Sequence, residues 1–93
     1  MAKDAQNITL DCGIAYTRIE TWLVSELGLT RGADGRWTFE TDDATCTVAL
    51  QPLPPRTVGA VSLERTQLVV SGNSVVAEAF MKLFTLRFVS AGG

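Results

Sequence analysis

Apolar positions crowd the carboxyl-terminal stretch of this chain. From Val75 to Val89 they recur at helical spacing, about 100° per residue, with Val76, Phe80, Leu83 and Phe84 on one inward-facing stripe. Ser74, Glu78, Lys82 and Thr85 form a narrow polar stripe, and Met81, Leu86 and Phe88 fall on its flanks. A helix that is apolar over more than half its girth needs more cover than a small core supplies. Met81, Leu86 and Phe88, with Arg87 among them, are therefore the candidate interface residues. Residues 84–88 also alternate, which admits a terminal strand. The unbroken apolar pattern from Val76 favours helix.

Upstream, the period changes. A polar tail is expected over residues 1–6. Ile8-Thr9-Leu10-Asp11-Cys12 then alternates as a short strand with Ile8, Leu10 and Cys12 turned inward, and Gly13 permits a turn. Thr17-Arg18-Ile19-Glu20 fits a helix capping box, and Asp11 is an alternative cap for a longer helix. Ile19, Trp22, Leu23 and Leu27 line one helix face, with Glu26 at its edge and Gly28 placed to end it. Arg31 to Arg36 contains Asp34-Gly35, a turn pair.

Trp37 to Glu40 alternates, Asp42-Asp43 turns, and Ala44 to Leu50 alternates again, which predicts a hairpin. Residues 51–56 carry three prolines and are expected as an edge, a bend or a protruding loop. From Val58 to Ser71 a long strand follows. Its apolar positions change register near residues 63–66, where a bulge or short turn is expected. Gly72-Asn73-Ser74 caps the last helix.

The order β-α-β-β-β-α is that of an α+β domain, a two-layer sandwich with a four-stranded, mostly antiparallel sheet and two helices on one face. Strand order is left open by the sequence. The outer face of the sheet would carry Thr9, Asp11, Thr38, Glu40, Thr45 and Thr47, polar but lightly charged. Ninety-three residues form one domain, residues 1–93.

Composition narrows the function classes. Ten acids against eight bases leave a net charge of -2, which provides no field to concentrate nucleic acid. Charged residues make up 19% of the chain, below the usual quarter, as in a homo-oligomer or a tightly packed monomer. No run approaches the length of a membrane span, and no signal peptide is expected, so the expected location is cytoplasmic. Two cysteines, Cys12 and Cys46, are too few for a disulfide scaffold and match no zinc spacing.

Candidate chemistry is sparse. Cys12 stands between a strand and a helix, where a helix start would lower a thiol pKa and the adjacent Asp11 would raise it. The chain has no histidine, so Cys-His and Ser-His nucleophiles are excluded. Glu40 with Asp42-Asp43 lacks the ligand spacing of a calcium loop and reads as a solvated turn. No metal or cofactor is expected. Glu64-Arg65-Thr66-Gln67 interrupts an apolar strand, and Arg65 and Gln67 share a face from which they would bind a carboxylate or an acidic partner. Arg87 would snorkel at the helix end or pair with an acid of this or another chain. These features predict a non-enzymatic interaction or assembly module, homo-oligomeric through the last helix or a sheet edge. Two alternatives are a carrier of an apolar or anionic small molecule and a thiol activity centred on Cys12.

Overall fold

In the computed structural model, residues 5–41 and 44–89 are described. β1 (Ala5–Cys12), α1 (Tyr16–Thr21), β2 (Trp37–Thr41), β3 (Ala44–Val58), β4 (Val61–Asn73) and α2 (Ser74–Phe88) follow in the expected order. The strands form one antiparallel sheet ordered β1-β4-β3-β2. The first two strands therefore hold opposite edges, and the α1 segment crosses one face between them. With α2 on that same face the molecule is a two-layer α+β sandwich. β1 starts at Ala5, so the last two residues of the expected tail belong to the sheet.

Register sorts the strand residues onto two faces, because residues directly opposite in antiparallel strands point the same way. Ile8, Val70, Val48 and Trp37 lie opposite one another across the four strands, and Leu10, Leu68 and Leu50 form the next row. Helices cover this side. Trp37, Val48, Leu68 and Val70 are fully buried against Ile19, Leu23, Val76, Ala77, Phe80 and Phe84. Trp22 joins the helices, with ring centroids 5.6 Å from Phe80, 5.9 Å from Phe84 and 5.3 Å from Phe88. α2 is rolled so that Ala77 rather than Leu83 faces the core, and Leu83 is left partly exposed. The helix continues through Phe88, so residues 84–88 do not form a strand.

The helix starts differ in how their free amides are met. Asn73 caps α2: its Oδ1 accepts from Val75 N at 3.0 Å and Val76 N at 3.2 Å. Asn73→Ala is expected to lower stability by about 1 kcal/mol in urea titrations, whereas Asn73→Asp retains the acceptor. Neither cap expected for α1 forms. The N-cap is Ala15, without a side-chain bond, and Thr17 lies inside the helix. The buried Thr66 hydroxyl, which donates to the Ile14 carbonyl at 2.7 Å, holds the chain at this entry instead. After Thr21 the helix widens into a π segment, Trp22–Glu26, with Leu27 N donating to Trp22 O at 3.1 Å. Gly28 then ends it at φ +68.

β3 and β4 outrun the rest of the sheet. β2 reaches only as far as Val48 along β3, and β1 ends opposite Thr66 of β4. Residues 53–65 therefore project as a two-stranded arm closed by Gly59-Ala60, with Gly59 at φ +62. The molecule is 48 Å long and about half as wide, and its radius of gyration of 14.0 Å exceeds the roughly 12 Å of a compact chain this size.

One expectation is met here and one is corrected. The prolines fall where β3 is an edge, with no outer neighbour that needs a donor from them. The bulge lies at Pro54-Pro55 on β3, between the pairs Leu53↔Arg65 and Arg56↔Leu63, and β4 runs without interruption.

Candidate functional site

Because β4 is unbroken, Val61, Leu63, Arg65, Gln67, Val69 and Ser71 all lie on one side of it, away from the helices. Their neighbours extend that side. Asn7, Ser71, Thr47 and Thr38 form one row; Thr9, Val69 and Ala49 the next; Asp11, Gln67 and Gln51 a third. Beyond these, Arg65 stands opposite Leu53, Leu63 opposite Arg56, and Val61 opposite Val58. The open face thus carries charge at Glu40, Asp11, Arg65 and Arg56, is uncharged in the rows of Thr47 and Ala49, and is apolar at the tip of the arm. Thr9, Asp11, Thr38, Glu40, Thr45 and Thr47 all lie on it. Val58 and Val61 are each 57% exposed and Leu63 is 48% exposed.

Arg65 is anchored at the base of the arm. Its Nε donates to Asp11 Oδ1 at 3.3 Å, its Nη2 donates to Asp11 Oδ2, and its Nη1 reaches the Pro54 carbonyl at 3.5 Å. The fork joins edge strand β1 to the point where the arm leaves the body. Arg65 is thereby committed to a carboxylate of its own chain, one residue row from Gln67. Asp11, Gly13, Arg56, Leu63, Glu64 and Arg65 line a surface recess of about 450 Å³ here.

The Arg65 hydrogen bond, and then its charge, hold the Asp11 carboxyl below its ordinary value of 3.8. A group whose folded pKa is lowered stabilises the fold above its unfolded pKa and loses that contribution as pH falls through the folded value. Wild type is expected to melt higher than Asp11→Asn above about pH 4, with the gap closing as pH falls further; thermal melts across acid pH check this.

The remaining sequence candidates are dispersed. Cys12 is buried, with Sγ directed at the Leu10 carbonyl at 4.0 Å; burial, and then the Asp11 charge, push its thiol pKa up. Burial alone raises Cys46 to about 11. Both thiols are protonated at neutral pH, and neither is in a disulfide. Met81 is half-buried against the core, and Phe88 is half-buried against Trp22 and Phe84, 5.1 Å from the latter. The Arg18 and Arg87 guanidinium carbons lie 5.7 and 5.1 Å from the Phe88 ring centre. Arg87 pairs with Glu26 at 3.4 Å, which accounts for an acid at the edge of an apolar face. Leu86 is exposed.

Among the described residues no three Cys, Asp or Glu side chains cluster as a metal site. The pair Asp42-Asp43 lies outside them. Among the described residues, two buried polar atoms lack a partner, Gln6 Oε1 and Trp37 Nε1, on opposite edge strands and away from the recess. No helix among the described residues is long and apolar enough to cross a membrane. Sequence reasoning missed the partnership of Asp11 with Arg65 and the placement of the arm's apolar residues on the open face. The change of register from Val61 and Leu63 to Leu68 and Val70 carried the second signal.

Fold and surface together define a small α+β sandwich with an uncovered sheet face prolonged by a β-arm. The chain matches no protein-family model, no curated protein and no solved structure.

Proposed function

We propose that this protein is a non-enzymatic assembly module that associates with further copies of itself. The observation that carries the reading is the arm: Val58, Val61 and Leu63 project into solvent on a ribbon that contributes nothing to the core. A hairpin of this length held clear of its own domain gains stability from a surface outside it. α2 supports the same reading with exposed Val75, Leu86 and Val89. A carrier is less favoured, because the recess at the arm base is open and bordered by charges of both signs. A thiol activity is less favoured, because burial keeps Cys12 protonated. Reduced Cys12 and Cys46 suit a cytoplasmic location.

Sedimentation or light scattering over a concentration series tests the reading. A mass rising from one chain to a defined multiple is expected. A monomer at every concentration would overturn it.

A further inference from the structure

We infer that two copies pack open sheet face against open sheet face, strands antiparallel, each arm lying across β3 and β4 of the other copy. The inference rests on the assembly reading and specifies the surface. It begins from the charge on the face. Solvated sheet faces and edges normally carry lysine and glutamate, yet the four described strands contain no lysine, and the open face adds only Glu40 and Arg56 to the Asp11–Arg65 pair. The central rows hold Thr, Ser, Asn, Gln, Ala and Val, and the one ion pair on the face is internal, Asp11 with Arg65.

The face is also complementary to itself. Take a two-fold axis in the interface plane, perpendicular to the strands, at the level of Thr66. It sets each row of one copy against the row an equal distance beyond Thr66 in the other. Leu63 then lies over Val69, with Ala49 beside it, and Arg56 over Ala49. Val61 lies over Ser71 and Val58 over Thr47. Every exposed apolar residue of the arm meets an uncharged, half-buried position. At the axis Arg65 lies over Gln67 of the second copy, one strand from that copy's Asp11, so the two ion pairs close into a ring of alternating charge. Arg65 and Gln67, singled out in the sequence, flank the axis.

In this arrangement each copy covers the rows from Val61 to Ser71 on β4 and their partners on β3, a strip ~10 Å wide and ~36 Å long. Addition of a foreign strand to the free edge of β3 is disfavoured, because Pro52, Pro54 and Pro55 occupy it and cannot donate.

The test compares solution mass across concentration for wild type, Leu63→Glu, Val69→Lys and Leu86→Glu, with circular dichroism to confirm folding. Leu63→Glu and Val69→Lys are expected to weaken dimerisation by ~100-fold or more, since each puts a charge into a closed apolar contact, while Leu86→Glu leaves it unchanged. A Leu63→Cys/Val69→Cys double variant supplies a second readout. Within one chain these positions are ~20 Å apart, but across the interface they are separated by the ~10 Å of packed sheets. A bismaleimide of matching reach should join two chains in the double variant and not in Leu63→Cys alone. A dimer that survives both face substitutions and dissociates in Leu86→Glu would overturn this interface and leave the assembly reading intact. A wild-type monomer at every concentration would overturn both.

Discussion

Gly72→Ala is expected to abolish stable folding, although it adds a single methyl group. Gly72 has φ +137, a conformation that L side chains rarely adopt, and it lies in β4 directly opposite Cys46. A Cβ there would approach the Cys46 Cα to 2.7 Å and the Thr45 carbonyl oxygen to 2.8 Å. Both are backbone atoms in the sheet's longest pairing, so no side-chain rotation relieves the overlap. Residue 73 follows as the cap of α2, so a shift of β4 would also displace the helix that closes the core.

The cost is expected to reach about 4 kcal/mol or more, against a total near 5–15 for a domain of this size. Gly13→Ala is the control: nothing lies within 4 Å of its Cβ position and its φ is not positive, so stability should stay within about 1 kcal/mol of wild type. Urea titration followed by circular dichroism separates the two. A Gly72→Ala midpoint equal to that of Gly13→Ala would contradict the close approach of β3 and β4.

Trp22→Ala is expected to have the next largest effect, about 3–5 kcal/mol. Trp22 is 4% exposed, and its ring contacts Phe80, Phe84 and Phe88 together. Its removal leaves a cavity between the π segment and α2 that neither helix closes without moving, because Phe80 is also held by Phe39 at 5.5 Å. Trp22→Phe keeps part of the aromatic contact and should lose about half as much. Trp37, buried in the sheet, remains as the fluorescence probe in both variants. A midpoint shift below about 1 kcal/mol in Trp22→Ala would show that the helices are held by the sheet alone.

Local pattern carried much of this architecture. Period-two alternation placed Cys46 and Val48 inward and the threonines outward, and period 3.6 selected Val76, Phe80 and Phe84 for the core. Asn73 was legible as a cap because a short polar side chain after Gly72 has few other structural uses. The α1 start was not legible. The Thr17 capping box matched in sequence, but the entry is held by Thr66, 52 residues further on, and no local rule contains that bond. The Asp11–Arg65 fork spans 54 residues and was hidden for the same reason.

β4 marks the boundary between the two kinds of knowledge. Its sequence determines a strand whose apolar residues change sides between Leu63 and Thr66, and that much is local chemistry. Such a change permits either a bulge or a change in which side is covered. The helix layer reaches only as far as the end of β1, so beyond Thr66 the inner side has nothing to bury against. There the apolar residues face the open side, and the strand runs straight. The order of the sheet, the projection of the arm and the uncovered face depend on where distant elements stop. Side-chain periodicity determines what a residue prefers to face, whereas only the packed chain decides whether anything is there to meet it.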